Sequence, residues 1–141
     1  MAPFLIDANV LVYAAGSGPH AKGSLRVLEA VARGAAEARC SPVILQEVWH
    51  LELSGRVAGL EGATDRAYRI LTPLLTVTDE AFRLAQGLGS AGLGAMDRLH
   101  AGTCLAHGID TVVTADAAFD DVPGLSRVDP LDAPALDRLL H

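Results

Sequence analysis

The sequence AMDRLHAGTCLAHGIDTVVTADAAFD, residues 95–120, contains the pattern that decides the fold class. Small and apolar side chains recur through residues 95–107, and Gly108 follows where a glycine commonly ends a helix. Residues 110–114 (DTVVT) are then rich in β-branched side chains, which predicts a strand. A helix that leads through a glycine into an apolar strand is typical of an α/β domain with parallel strands.

The same alternation of strand and helix patterns continues toward both ends of the chain. Further strands are predicted at residues 3–7, 38–41, 74–78 and 126–128. Further helices are predicted at residues 19–34, 41–54, 63–71, 78–88 and 133–140. We therefore expect a three-layer α/β/α fold around a central, mainly parallel sheet of about five strands.

Length and composition fit one domain that spans residues 1–141. Half of the 141 residues are hydrophobic, and the mean hydropathy is +0.31, which suffices for a packed core. No apolar run reaches the length of about 20 residues that a membrane span requires. The opening MAPFLIDANV lacks a basic region and is interrupted by Asp7, so it is not typical of a signal peptide. We expect a cytoplasmic protein without membrane contact.

Two features of the composition bear on function. Cys40 and Cys104 belong to no closely spaced pair, which excludes a structural zinc site of the usual spacing. The chain has 17 acidic and 11 basic residues and a net charge of −6. Nucleic-acid-binding domains usually carry a basic face, so this balance argues against one unless several acids bind cations.

Four acidic residues are expected at one edge of the sheet. Asp7 ends the first strand and Asp116 follows the strand at residues 110–114, while Glu47 and Asp97 lie in early turns of helices. Two such charges about 4 Å apart repel by roughly 4 kcal/mol at an effective dielectric constant near 20. Oxygen ligands favour hard cations, so the pattern predicts Mg²⁺ or Mn²⁺, ions that can activate water for phosphodiester hydrolysis.

Each acid also has an ordinary structural interpretation. Asp7 could cap the following helix, and Glu47 could be a solvated helix residue. Asp97 could be a favourable charge at a helix N-terminus, and Asp116 could be a turn residue. Their joint placement at one edge favours the shared site.

Three segments carry a resemblance to a known family. FLIDANVLVYA (residues 4–14), SPVILQEVW (residues 41–49) and the stretch 95–120 resemble a PIN domain, in particular a VapC-type toxin. The residues that match the family pattern are Asp7, Asn9, Glu47, Asp97, Gly108, Thr114, Asp116 and Phe119.

The resemblance implies roles for these residues. Asp7, Glu47, Asp97 and Asp116 would be both catalytic and metal-binding, with Asn9, Thr114 and Asp120 in support. Asp7 and Asp97 would hold the main ion, Glu47 would help to orient the attacking water, and Asp116 would support a second ion or the first. Asp120 or Asp121 remains open as the fourth acid instead of Asp116.

The resemblance also implies function and partners. It indicates a Mg²⁺- or Mn²⁺-dependent endoribonuclease that hydrolyses RNA with a metal-activated water and is inhibited by a VapB-type antitoxin. A homodimer is expected, which forms a heterotetramer or a larger assembly with the antitoxin. We expect the antitoxin to bind an apolar groove lined by the early helices. One face of the helix at residues 41–54 cannot bury all of its apolar side chains, so a partner is expected to cover some of them. These side chains are those of Val43, Ile44, Leu45, Trp49, Leu51 and Leu53.

Two other interpretations remain open. Glu47 with His50, and Asp97 with His100, form acid-x-x-His pairs like those of di-iron helix bundles, which need four long helices and no sheet. A non-catalytic α/β binding module is the second alternative. The glycine-rich residues 87–94 lack the Lys-Ser/Thr of a phosphate-binding loop, so we predict a mobile connecting loop there.

Overall fold

A parallel sheet organises the chain. The computed structural model describes residues 1–89 and 92–141, and in these it contains four strands. They are β1 (Phe4–Ile6), β2 (Ala38–Arg39), β3 (Thr111–Val113) and β4 (Ser126–Val128). The order across the sheet is β2-β1-β3-β4 with every pairing parallel. The predicted α/β fold is thus confirmed, with four strands where about five were expected.

Seven α-helices connect and cover these strands in the described residues. They are α1 (Ala8–Ala14), α2 (Ala21–Ala32), α3 (Pro42–Ser54), α4 (Ala63–Leu71), α5 (Asp79–Gln86), α6 (Ala95–Ala106) and α7 (Ala133–Leu140). A short 3₁₀ helix, Ala117–Asp121, follows β3. The six predicted helices are confirmed, whereas α1 was not predicted. The predicted loop at residues 87–94 includes Ser90 and Ala91, which lie outside the described residues.

The predicted helix ends have a local chemical cause. The Ser41 hydroxyl accepts a hydrogen bond from the Ile44 amide at 3.2 Å, and proline occupies the first position of α3. The Thr78 hydroxyl caps α5 in the same way through the Ala81 amide at 3.1 Å. Gly55 ends α3 with a φ of +66°, a conformation that glycine adopts without steric cost.

The strand predicted at residues 74–78 is wrong, because this segment has no regular structure. The Leu75 amide donates to the Cys40 carbonyl at 2.9 Å, just beyond the end of β2. The segment therefore touches the end of the sheet through one backbone bond, without forming a ladder. Leu75 is nevertheless buried, which explains its apolar pattern.

The four-helix di-iron alternative is contradicted by the parallel sheet. Its acid-x-x-His pairs are also not partners within one helix. The His100 ring bonds to Glu47 of another helix, and His50 is exposed. No α-helix within residues 1–89 and 92–141 is long and apolar enough to cross a membrane.

The sheet topology determines where a site can form. The strand β1 lies between β2 and β3, so the chain leaves the sheet in different directions from two adjacent strands. Such a switch point opens a crevice at the carboxyl ends of the strands. Here Asp7 directly follows β1 and Thr114 directly follows β3, and the Asp7 amide donates to the Val113 carbonyl at 3.1 Å. Residues that follow β1 and β3 therefore meet at this edge.

Candidate active site

Asp7 lies at the centre of the acidic edge. Its side chain is buried and accepts three hydrogen bonds: from the Ala8 amide to Oδ1 at 2.8 Å, from the Thr114 hydroxyl to Oδ2 at 2.8 Å, and from the Asn9 amide group to Oδ2 at 3.3 Å. Burial raises the pKa of Asp7, and the nearby Glu47 charge adds to this, although the His100 charge and the hydrogen bonds oppose it. Asp7 therefore caps α1, as one interpretation expected, and also faces the other acids.

Asn9 and Thr114 hold Asp7 in place. The Thr114 hydroxyl donates to Asp7 and accepts from the Asn9 side chain at 3.0 Å and from the Asp116 amide at 3.1 Å. The side-chain oxygen Oδ1 of Asn9 accepts a hydrogen bond from the Ala115 backbone amide at 3.3 Å. One donated and two accepted hydrogen bonds use the full hydrogen-bonding capacity of the Thr114 hydroxyl. This network ties the start of α1 to the loop after β3.

Asp97 and Asp116 form the second part of the edge. Asp97 lies in the first turn of α6, and its pKa is raised to about 6, first by partial burial and then by the charge of Asp7. The charge of Asp116 and a side-chain hydrogen bond to it raise the pKa further, whereas His100 opposes the shift. Asp116 also caps the 3₁₀ helix by accepting from the Ala118 amide at 3.0 Å.

Glu47 reaches the edge through a histidine. Its Oε1 atom lies 2.5 Å from Nε2 of His100, which is 1% exposed, whereas the Glu47 side chain is 33% exposed. One potential ligand atom from each of Asp7, Asp97 and His100 lies within 4.8 Å of the others, and Glu47 is not part of this group. His100 was not among the predicted site residues. The signal that could have found it is its position three residues after Asp97, on the same face of a helix.

Asp120 points to a different partner. Its two carboxylate oxygens accept from Nε and Nη2 of Arg127 at 2.9 and 3.3 Å. The same guanidinium donates to Asp129 at 3.0 Å and to the Thr114 carbonyl at 3.2 Å. Asp120 thus contacts the site only through Arg127, which the sequence pattern did not indicate. Asp121 is exposed.

The side chains at this edge fit a divalent cation. The carboxyl groups of Asp7 and Asp97 and the imidazole of His100 converge here, and burial is the main cause of the raised pKa of both Asp7 and Asp97. Oxygen donors with one imidazole are ligands that Mg²⁺ and Mn²⁺ accept. A cation there would offset the negative charges of Asp7 and Asp97. Asp7 and Asp97 are the carboxylates placed closely enough to hold it, with the His100 ring beside them.

Comparison with known proteins agrees with this geometry. Residues 4–125 match the model of the PIN domain family. A VapC ribonuclease of Mycobacterium bovis and the ribonuclease VapC13 of Mycobacterium tuberculosis are each 28% identical over 128 residues, which cover 88% of this chain and 98% of the relative.

The fold also resembles a chain in the crystal structure of VapBC2 from Rickettsia felis bound to a DNA fragment from their promoter. The TM-score is 0.69 at 19% identity, over 90% of this chain and 98% of that chain. The family match includes β1, α3, α6 and the loop after β3, which together supply all the acids of the site. This chain is a member of the PIN domain family.

Proposed function

We propose that this protein is an endoribonuclease that depends on a divalent cation and acts as the toxin of a toxin–antitoxin pair. The observation that carries the proposal is the gathering of Asp7, Asp97 and Asp116 at the switch point of a PIN domain. The relatives at 28% identity are named as VapC ribonucleases, which supports the same activity here. RNA is the proposed substrate, and the cytoplasm is the proposed location.

The proposed roles follow from the contacts. Asp7 and Asp97 hold the cation, which we propose to be Mg²⁺, or Mn²⁺ in its place, since most donors are hard oxygens. When bound, such an ion lowers the pKa of water and neutralises charge on a phosphodiester. Glu47 accepts a hydrogen bond from the attacking water and orients it. Asp116 supports Asp97, and Asn9 with Thr114 keeps the Asp7 carboxylate aimed at the site.

Cleavage of RNA by the isolated protein tests this proposal. Purified chain, free of antitoxin, is expected to cut single-stranded or looped RNA in Mg²⁺ and to stop when EDTA is added. Asp7→Asn should lose the activity. Asp65→Asn is the matched control, because Asp65 is an exposed acid of α4 paired with Arg69 at 2.9 Å. Cleavage that persists in EDTA, or an equal loss in both variants, would contradict the proposal.

A non-catalytic binding module of the same fold is the remaining alternative. It would bind RNA or a protein partner and leave RNA intact in Mg²⁺. The complete set of acids favours the enzyme, because a purely binding surface gains nothing from three repelling carboxylates.

We also propose that one PIN domain spans residues 1–141. The family match ends at residue 125, but β4 pairs with β3 just beyond it. Leu136 and Leu140 of α7 belong to the hydrophobic core, and α7 packs against α2. Removal of α7 would therefore expose the core of the domain.

An apolar groove is the proposed antitoxin site. It has a volume of about 250 Å³ and lies between α1, α2 and α4. Its apolar lining includes Leu11, Leu25, Leu28, Ala67 and Ile70. None of the six apolar α3 side chains on which the groove was predicted lines it, and Ile44 and Leu45 are buried in the protein itself. Trp49 and Leu53 are 54% and 72% exposed, so they remain available to a partner.

The proposed assembly is a homodimer that binds a VapB-type antitoxin as a heterotetramer or a larger complex. The net charge of −6 would attract a basic antitoxin segment toward the acidic edge. Light scattering of the isolated chain, and then of the chain with the product of its neighbouring reading frame, tests both halves. A strict monomer that does not bind the neighbour's product would contradict the assembly and leave the nuclease proposal standing.

A further inference from the structure

The pair formed by His100 and Glu47 joins α6 to α3 inside the site. We propose that His100 is a positioning residue that holds the Glu47 carboxylate where it orients the attacking water. The inference rests on the proposed ribonuclease function and adds a residue to it. Its basis is the contact of 2.5 Å between Nε2 of His100 and Oε1 of Glu47, made across 53 residues of sequence.

His100 is itself held rigidly. It is 1% exposed, and α6 is packed closely against α5 at Gly102, where an added Cβ atom would lie 2.2 Å from the Ala81 carbonyl oxygen. Asp97 lies one turn earlier on the same helix. The ring therefore stands at a fixed distance from both the cation ligands and α3, as a positioning group requires.

Glu47 needs such a partner. Its side chain is long and one-third exposed, so without a hydrogen bond it would sample several rotamers. Its negative charge is also repelled by that of Asp7, which pushes the carboxylate toward solvent. A carboxylate oxygen accepts, so Nε2 of His100 carries the proton that it donates to Glu47. This bond opposes the repulsion and limits the rotamers.

Variants of His100, with a control at His50, test the role. His100→Leu removes the donor and keeps the apolar volume, whereas His100→Gln places an amide N–H near the position of Nε2. His50→Leu is the matched control, since His50 is exposed on α3 three residues from Glu47. The measurements are the kcat and KM of RNA cleavage and the Kd of Mn²⁺, followed by electron paramagnetic resonance.

The expected result separates positioning from other roles. His100→Leu should lower kcat by about 10-fold to 100-fold, as is typical when an outer partner of a metal site is lost, and His100→Gln should restore it to within about 3-fold. KM and the Mn²⁺ Kd should change by less than about 3-fold in either variant, and His50→Leu should match wild type. Combined with Glu47→Ala, His100→Leu should cause no additional loss, because both act through one carboxylate.

Several outcomes would overturn the role. A Mn²⁺ affinity that falls together with kcat, with a ¹⁴N coupling to Mn²⁺ that disappears in His100→Leu, would make His100 a metal ligand instead. Additive losses in the double variant would show that His100 acts without Glu47. If wild type fails to cleave RNA, the proposed function fails. The contact between His100 and Glu47 can then still be tested by proton NMR, through the downfield imidazole N–H signal of wild type. Persistence of that signal in Glu47→Ala would refute the contact.

Discussion

Asp97→Asn is expected to stabilise the protein when no divalent cation is present. The substitution keeps the shape of the side chain and removes one negative charge from the acidic edge. Asp97 is repelled by Asp7 and Asp116, and partial burial raises its pKa from the usual 3.8 to about 6. A carboxyl group whose pKa is raised by folding destabilises the folded state whenever it is ionised.

The magnitude follows from the pKa of this group. A change from 3.8 to about 6 corresponds to roughly 3 kcal/mol if no solvent screening applies. Because Asp97 is only partly buried, we reduce this to about 1 kcal/mol. The folded state binds more protons than the unfolded state between about pH 4 and pH 6, so the stability of wild type falls as pH rises through this range. The stability of Asp97→Asn does not fall in this way, because the variant has no carboxyl group at this position.

Thermal and urea unfolding in EDTA measure the effect. At pH 7.5 we expect Asp97→Asn to be more stable than wild type by about 1 kcal/mol, or a few degrees in Tm, and to lose this advantage near pH 4. Saturating Mg²⁺ should reverse the order, since the cation stabilises only a protein that binds it. Asp65→Asn should show neither effect. An Asp97→Asn protein that is less stable than wild type in EDTA at pH 7.5 would refute the reasoning.

Four further substitutions test packing, capping and the choice of the fourth acid. Gly102→Ala should destabilise the fold by more than about 2 kcal/mol in urea unfolding, because the new Cβ would lie 2.2 Å from the Ala81 carbonyl oxygen. Ser41→Ala should cost about 1 kcal/mol in the same assay through loss of the α3 cap. Asp116→Asn should weaken Mg²⁺ binding in calorimetry by about 10-fold, whereas Asp120→Asn should stay within about 2-fold, and the opposite order would assign the fourth acid to Asp120.

The parts of the fold that were predictable have local causes. The β-branched composition of residues 110–114 predicts β3, and the capping residues Ser41 and Pro42 predict the start of α3. The helix α1 was missed because β-branched Val10 and Val12 weaken its helical pattern, although Asp7 caps it. The strand at residues 74–78 was predicted from an apolar pattern that reflects burial of Leu75 without strand pairing.

The candidate site was likewise predictable only in part. Asp7 and Asp116 follow adjacent parallel strands, so the topology alone predicts that they meet. The pairing of Glu47 with His100 depends on where the tertiary fold places α3 relative to α6, which no local pattern encodes. Spacing instead suggested a partner for each histidine within its own helix. Asp120 looked equivalent to Asp116 in sequence, but in the structure Asp116 interacts with Asp97 whereas Asp120 bonds to Arg127.

The most direct test compares metal binding with catalysis in the same preparation. Calorimetry gives the Mg²⁺ binding curve, and the initial rate of RNA cleavage is measured over the same concentrations for wild type and Asp7→Asn. We expect wild-type binding and rate to rise with one midpoint, and both to be abolished or strongly weakened in the variant. Unchanged Mg²⁺ affinity in Asp7→Asn, or full cleavage without bound cation, would contradict this expectation.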